Sequence, residues 1–315
     1  MKKWIYGIIC LCVALCFVFC ATAEKADPAA DLPEGVVPVT WEVSSEHLLI
    51  DTPEARELYD RIAAEDYPTM EELKAHPVVA QLDALAAYYQ AVYGNTSEID
   101  TEERDEIREQ ILDWFLSLGS ARTDSVNENG KHNYTYDGPL ARNYQAEIVI
   151  GLPASGKSTT IADPDSEAMQ AFILDPDVLK GALPEYVESH GAAADAVHKE
   201  GSMMLTEAMQ EFLDGEMKGI NVIIPTIGDS LEKLLDKYVH PFEEAGYNVK
   251  VRICRAKENE AAARVVKREL SGGQLINSKV AFNFGDGPDN VYKEISTMIN
   301  SKGETYGYEE DLQQE

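Results

Sequence analysis

A glycine-rich stretch near the middle of the chain carries the clearest chemical signal. Gly151, Gly156, Lys157 and Ser158 fit the spacing G-x-x-x-x-G-K-[ST]. In such a loop the glycines let backbone amides turn towards phosphate oxygens, the lysine reaches the β and γ phosphates, and the hydroxyl ligates Mg²⁺. The pattern therefore predicts a loop that binds a nucleotide, with Ser158 as the metal ligand.

The residues around this loop support the same interpretation. "EIVI" before it is a strand pattern, and "KSTTIA" after it can begin a helix whose N-terminus faces an anion. A glycine-rich turn without a ligand is the alternative. The predicted nucleotide-binding residues are Gly151, Leu152, Pro153, Ala154, Ser155, Gly156, Lys157, Ser158 and Thr159.

Two acids follow the next predicted strand, in "FILDPD". If this strand lies beside the one before the loop, Asp175 and Asp177 come close to the phosphates. A carboxylate there can accept the proton of an attacking hydroxyl, as in a small kinase. The alternative is turn chemistry around Pro176.

Basic residues cluster further along a chain that is otherwise acidic. Arg264 and Arg268 stand four apart in the predicted helix "ENEAAARVVKREL", so they share a face and could clamp a transferring phosphoryl group. A solvated helix face is the alternative. The cluster consists of Lys250, Arg252, Arg255, Lys257, Arg264, Lys267 and Arg268.

The charge balance of the chain disfavours nucleic acid as a binding partner. The 315 residues include 27 Lys and Arg against 56 Asp and Glu, for a net charge of −29. Such a balance argues against nucleic acid, which is bound by neutralising its phosphates with basic side chains. A hydrophobic content of 44% predicts an ordinary buried core.

The first residues look like a targeting segment. Lys2 and Lys3 precede a long apolar run, and "ATA" ends at Ala23 in a small-x-small pattern. We expect residues 1–23 to be a signal peptide that directs export and is cleaved after Ala23. An uncleaved membrane anchor formed by residues 4–20 is the alternative, and a cytoplasmic location is favoured less. Lipidation of Cys20 is disfavoured because the bulky Phe19 precedes it.

Helical patterning begins after a linker predicted at residues 24–50. Thr52 can cap a helix that starts at Pro53, and Thr69 with Glu72 fits a capping box. Two further apolar-striped segments complete a predicted small helical domain at residues 51–122. A polar, turn-rich linker is predicted at residues 123–139.

The remaining chain alternates strand and helix. The β-branched runs "AEIVIG", "AFILD", "NVIIPT" and "NVKVRICRA" are separated by helical stretches. This alternation predicts an α/β fold, a mainly parallel sheet covered by helices, over residues 140–303. Residues 304–315 are expected to form a solvated acidic tail.

The order of these motifs resembles the zeta toxin family of P-loop kinases, over about residues 140–300. The resemblance rests on "IGLPASGKST", "ILDPDVLKGALPEY", "GINVIIPT", "GYNVKVRICRA" and "RVVKRELSGG". It implies the three-layer P-loop NTPase fold and the use of ATP and Mg²⁺ to phosphorylate a hydroxyl, which in characterised members belongs to UDP-N-acetylglucosamine. The acceptor is thus expected to be a small molecule such as a UDP-sugar.

The resemblance also implies roles for particular residues. Lys157 and Ser158 would hold phosphate and metal, Asp177 would be the catalytic base, and Arg268 would clamp the transferring phosphate. Arg264 is grouped with the nucleotide-binding residues. Residues expected near the acceptor substrate are Asp175, His198, Glu200 and Thr226, although helix surface is the alternative for His198 and Glu200.

Two departures from the family pattern leave the function open. Pro225 stands before Thr226 where the toxins usually have glutamate, and Gln274 stands where a basic residue is expected. The leading hypothesis is an ATP-dependent kinase of a sugar nucleotide or another small molecule. The alternative is a nucleotide-binding interaction module whose catalysis has decayed.

The family also implies a partner. Zeta toxins are normally inhibited by a separate helical antitoxin, so a helical inhibitory partner is one expectation. Residues 51–122 are themselves helical and acidic, and they could cover the nucleotide site in cis. The alternative is that they form a supporting subdomain. A membrane contact is expected only through the N-terminal segment.

Overall fold

The computed structural model describes residues 43–117 and 139–308. The predicted signal peptide, most of both predicted linkers and the last residues of the chain lie outside these ranges.

A four-stranded sheet forms the centre of the fold. Its strands are β1 (Gln145–Ile150), β2 (Phe172–Ile173), β3 (Val222–Pro225) and β4 (Asn248–Ile253). The order is β2-β3-β1-β4, and every pair of neighbours is parallel. The strands coincide with the four β-branched runs, so the predicted α/β fold with a parallel sheet is confirmed.

Helices connect the strands and precede the sheet. They are α1 (Pro53–Ala63), α2 (Met70–Ala75), α3 (Pro77–Tyr93), α4 (Glu102–Ser117), α5 (Asp163–Met169), α6 (Pro176–Gly181), α7 (Pro184–Glu188), α8 (Ala194–Leu213), α9 (Leu231–Leu234), α10 (His240–Glu244), α11 (Glu258–Leu270), α12 (Ser278–Ala281) and α13 (Gly287–Ile295). Wider π-helical turns lead into α5, at Lys157–Ala162, and join α9 to α10, at Leu235–Val239.

Local capping explains where the first helices begin. The Thr52 side chain accepts a hydrogen bond from the Ala55 N–H, and Pro53 opens α1. At α2 the Thr69 hydroxyl accepts from the Glu72 N–H, while the Glu72 carboxylate accepts from the Thr69 N–H. Both caps satisfy amides that have no partner within the helix. The predicted capping box and the helical N-terminal region are confirmed.

Both faces of the sheet are covered, which makes three layers. Ala146, Ile148 and Ile150 of β1 enter one apolar cluster, whereas Val149 enters another, together with residues of the helix after the glycine-rich loop. This alternation follows from the period of two in a strand. The sheet therefore separates that helix from the larger cluster.

The N-terminal helices share apolar cores with the rest of the fold. Phe115 of α4 packs edge-to-face on Phe172 of β2, with the ring centroids 5.2 Å apart. A further cluster joins buried residues of α1, α2 and α3 to those of α11. Helices α1–α4 thus have no core separate from the sheet-bearing part of the chain.

The structure differs from expectation at two boundaries. Leu48 and Leu49 fall in the predicted linker, yet both are buried in the cluster with α11. Residues 304–308 pack on the sheet instead of forming a solvated tail, because the Val251 N–H donates to the Tyr306 carbonyl and Tyr306 is buried. Within residues 43–117 and 139–308, no helix has the length and apolar character needed to cross a membrane.

Candidate functional site

The glycine-rich loop lies between the end of β1 and the helical turn that starts at Lys157. Gly151 has a φ of +154°, and a Cβ there would come within 2.5 Å of the Cys254 carbonyl oxygen. Gly156, with a φ of +102°, precedes the helical turn. The loop can therefore pass close to the end of β4 only because it begins with glycine.

Lys157 folds back over this loop. Its Nζ donates hydrogen bonds to the carbonyl oxygens of Gly151 and Leu152, at 2.8 and 2.7 Å. Burial and the positive charge of Arg268 together lower the pKa of Lys157 to about 8, although the charges of Asp175 and Asp177 oppose the decrease. The ammonium thus shares its surroundings with the predicted base and the predicted clamp.

The two acids after β2 have different roles in the structure. Asp175 caps α6, where its Oδ1 accepts a hydrogen bond from the Asp177 N–H at 2.9 Å. Asp177 keeps 44% of its side chain exposed and pairs with the buried Lys180, with Oδ1 and Nζ 2.8 Å apart. Asp177 therefore presents an accessible carboxylate beside the loop, as a base must.

The surroundings of Asp177 favour its ionised form. Burial by itself would raise its pKa, but the charges of Lys180 and Arg268 and hydrogen bonds from Lys180 and Gln274 outweigh burial. The pKa is held well below its usual range. Lys180 was missed as a site residue in the sequence, because nothing local marks a lysine one helical turn after an acid. Gln274 was noted there only as a departure from the family pattern, not as a partner of Asp177.

Two polar atoms of the site lack a partner. Among the described residues, the Arg268 Nε and the Ser155 Oγ are buried without a hydrogen bond. Buried donors are nearly always paired in folded proteins, so each calls for a ligand or an equivalent acceptor. Together with the glycine loop, these donors fit a polyphosphate anion.

The other predicted residues are distributed around this centre. Thr226 follows β3, and its N–H donates to the Val149 carbonyl of β1, next to the loop. His198 lies on the exposed side of α8, where partial burial and the charge of Lys180 lower its pKa and Asp177 opposes this. Both therefore lie beside elements of the site.

Two predicted residues are bound by side chains of the N-terminal region, one in the loop after α1 and one in α4. Arg264 donates to the Tyr67 hydroxyl from Nε and Nη2, at 3.3 and 3.2 Å. Glu200 has no exposed surface, and its carboxylate accepts hydrogen bonds from Arg104 and Arg108 of α4. Their predicted contacts with nucleotide and acceptor stay predictions.

Tyr186 is a further neighbour of these groups. Burial raises its pKa to about 12, with Arg268 opposing and Asp177 adding to the increase. The phenol therefore lies near both the predicted clamp and the predicted base. Its only signal in the sequence is its place in "ALPEY", the segment that resembles a family motif near the acceptor.

A parallel sheet in this order, with a glycine-rich loop and a lysine after its central strand, defines a P-loop domain of the kinase type. The family model described as zeta toxin matches residues 141–284. This match agrees with the resemblance of the same part of the chain to zeta toxins. No curated protein matches the chain.

Several solved structures are similar to the chain. One is from the PezAT chromosomal toxin–antitoxin system of the human pathogen Streptococcus pneumoniae, at 14% identity and a TM-score of 0.42, covering 61% of this chain and 72% of that one. Two others are AvrRxo1-ORF1:AvrRxo1-ORF2 complexes, one with sulphate ions and one with ATP. They show 19% and 20% identity, each with a TM-score of 0.37 and 64% of this chain covered.

The chain spans 58% and 57% of the two AvrRxo1-ORF1:AvrRxo1-ORF2 chains that it matches, which is less than two thirds of their length. All three likenesses are distant. No conclusion about the substrate or the partner of this chain follows from them.

Proposed function

We propose that this protein is an ATP-dependent phosphotransferase that phosphorylates a hydroxyl group of a small molecule. The proposal is supported by three charged groups that lie near one another, two of them after the carboxyl ends of β1 and β2 and one on α11. Lys157 lies in the glycine loop, and the charges of Asp177 and Arg268 both act on it. A lysine, a carboxylate and an arginine in one place are the groups that phosphoryl transfer needs.

Each residue has a role that follows from its place. Backbone amides of the loop and Lys157 would hold the phosphates, and the unpaired Arg268 Nε would bind negative charge that develops on the transferring group. Asp177 would orient the acceptor hydroxyl and accept its proton. ATP, when bound, supplies the phosphoryl group.

Magnesium would be held by Ser158 together with phosphate oxygens. In residues 43–117 and 139–308, no group of three or more His, Cys, Asp or Glu side chains could hold a metal ion. Mg²⁺ in kinases is typically bound by few protein ligands plus the phosphates. The hydroxyl at the start of the helical turn suits this arrangement.

We infer the acceptor class from the family. UDP-N-acetylglucosamine and related sugar nucleotides are the first compounds to test. Pro225 lies in the ladder opposite Val149, so at the position where the toxins usually carry glutamate the chain offers no carboxylate. Other small molecules that carry a hydroxyl group are therefore tested together with the UDP-sugars.

The test is phosphate transfer in solution. The purified protein is incubated with Mg²⁺ and ATP and a panel of UDP-sugars or a metabolite extract, and mass spectrometry detects an added phosphate. Asp177→Asn should lower the rate by about 100-fold or more. Asp236→Asn, at a 71% exposed position, is the matched control and should leave it unchanged. Equal rates for wild type and Asp177→Asn would reject the proposal.

A second candidate is a nucleotide-binding module whose catalysis has decayed. The observation in its favour is the ion pair of Asp177 with Lys180, because a carboxylate whose pKa is held so low is a weak base. Calorimetry separates the two candidates. Tight ATP binding without turnover on any metabolite supports the module, whereas any turnover excludes it.

A further inference from the structure

A buried charge network joins the N-terminal helix α4 to helices α7 and α8. Arg104 is only 5% exposed and binds two carboxylates at once. To Glu200 it donates from Nε at 2.8 Å and from Nη2 at 2.5 Å. To Glu185 it donates from Nη1 at 2.9 Å and from Nη2 at 3.1 Å. Only the planar fork of an arginine can make this double bidentate contact.

Arg108, one helical turn later, strengthens the same network. Its Nε donates to the Glu200 Oε1 at 2.7 Å, and its Nη2 donates to the Ile99 carbonyl at 2.9 Å. Burial would favour the neutral form of Glu200, but hydrogen bonds from Arg104 and Thr96 outweigh it and lower the pKa. Glu200 is therefore a charged carboxylate whose two arginine partners both come from α4.

The two tethered helices face the candidate base. Glu185 is next to Tyr186 on α7, and Tyr186 lies near Asp177 and Arg268. Glu200 lies beside Gly201 on α8, where an added Cβ would come within 3.0 Å of the Lys180 Cβ. The arginine thus fixes both helices that lie beside Asp177 and Lys180.

Helix α4 is also held by apolar packing. Ile111 and Phe115 belong to the main core under the sheet, and α4 contacts α6 and α8. Breaking a buried ion pair by removing one partner leaves an uncompensated charge, which is strongly unfavourable. A segment attached in this way is a built-in part of the fold.

We propose that Arg104 is a positioning residue for the acceptor half of the site, so that the helical region before the loop completes the enzyme and is not a removable inhibitor. The proposal rests on the proposed function. In this proposal α7 and the start of α8 line the acceptor side of the site, and the glycine loop binds the nucleotide.

The test separates effects on acceptor from effects on nucleotide. Arg104→Met should lower kcat/KM for the acceptor by about 10- to 100-fold, because a small misplacement of positioning groups has effects of this size. The KM for ATP should stay within about 2-fold. Arg61→Met is the matched control, since Arg61 lies on α1 in an exposed pair with Asp66 and should leave both constants unchanged.

Glu185→Gln provides a milder variant. It weakens only the attachment of α7, because Arg104 loses an ion pair with Glu185 while Glu200 on α8 keeps its contacts with Arg104 and Arg108. We expect the same selective loss for the acceptor, smaller than that of Arg104→Met, with thermal stability close to wild type. An equal loss for ATP and acceptor in both variants would overturn the proposal.

Hydrogen exchange adds a readout that needs no acceptor. Arg104→Met should speed exchange in peptides from α7 and the start of α8, while peptides from β1 and the loop keep the wild-type rate. Unchanged exchange in α7 would refute the proposal. Absence of transfer by the wild-type protein would instead refute the proposed function, so the two failures are distinguishable.

Discussion

Glu269 offers a quantitative test of the structure, because its carboxyl group is buried at the end of α11. Burial raises its pKa to about 8, the Ile276 N–H and the charge of Arg268 oppose this, and Asp83 and Asp195 add to it. The Ile276 N–H donates to the Glu269 Oε1 at 2.9 Å. The folded protein thus keeps a proton that the unfolded chain releases near an ordinary pKa of 4.5.

This difference makes stability depend on pH. The folded state binds more protons between about pH 4.5 and about pH 8, so the free energy of unfolding falls as pH rises through that window. Each tenfold change in proton affinity is worth about 1.4 kcal/mol, which sets an upper bound on the order of 5 kcal/mol. Relaxation and water penetration reduce such penalties, and we expect an observed effect of about 2 kcal/mol or more.

Glu269→Gln removes the titrating group and keeps its shape and its carbonyl acceptor. Urea unfolding should show little difference from wild type at about pH 5 and a more stable variant, by about 2 kcal/mol or more, at about pH 8.5. Glu258→Gln, at an exposed position on the first turn of the same helix, controls for the loss of a surface carboxylate. If the free energy of unfolding changes with pH in the same way for wild type and Glu269→Gln, the reasoning is refuted.

Two further predictions concern the glycine loop and the contact between α3 and α12. Gly151→Ala places a Cβ against the Cys254 carbonyl, so affinity for a fluorescent ATP analogue should fall by about 10-fold or more. Gly94→Ala controls for alanine at a positive φ with open space around it, and it should bind nucleotide like wild type. Asp83→Ala removes the acceptor of two hydrogen bonds from Ser278, at 2.7 and 2.6 Å, and should destabilise the fold by about 1–3 kcal/mol in urea unfolding. An unchanged unfolding midpoint for Asp83→Ala would show that this anchor is not formed.

The sequence predicted the parts of the fold that depend on neighbouring residues. Thr52 and Pro53 mark the start of α1 by local chemistry, and the capping box of α2 is readable as Thr69 and Glu72. The strands show as β-branched runs, and their parallel arrangement follows from the alternation with helices. The glycine loop was also found, because its function requires a fixed local spacing.

Contacts between distant residues could not be predicted in this way. Arg104 and Glu200 are 96 positions apart, and Tyr67 and Arg264 are 197 apart. Arg104 is one of several charged residues in "EERDEIREQ", and its pattern is that of a solvated helix face. Only the packing of α4 against the core buries it, so its role became visible in three dimensions alone.

The role of the helical region, residues 51–122, could not be decided from the sequence for the same reason. An acidic helical segment before a P-loop domain is compatible with a cis inhibitor or a supporting subdomain. The shared cores of α1–α3 with α11, and of α4 with the sheet, favour a supporting role. Charge and periodicity do not reveal which helix faces will meet.

The central claim is that Lys157, Asp177 and Arg268 form one site for phosphoryl transfer. Its most direct test is transfer of labelled γ-phosphate from ATP to a small acceptor, compared for wild type, Lys157→Ala and Asp177→Asn. We predict transfer by the wild-type protein and a loss of about 100-fold or more in each variant, with ATP binding retained in Asp177→Asn. Transfer at the wild-type rate by Asp177→Asn, or no transfer by wild type to any acceptor despite tight ATP binding, would contradict the account.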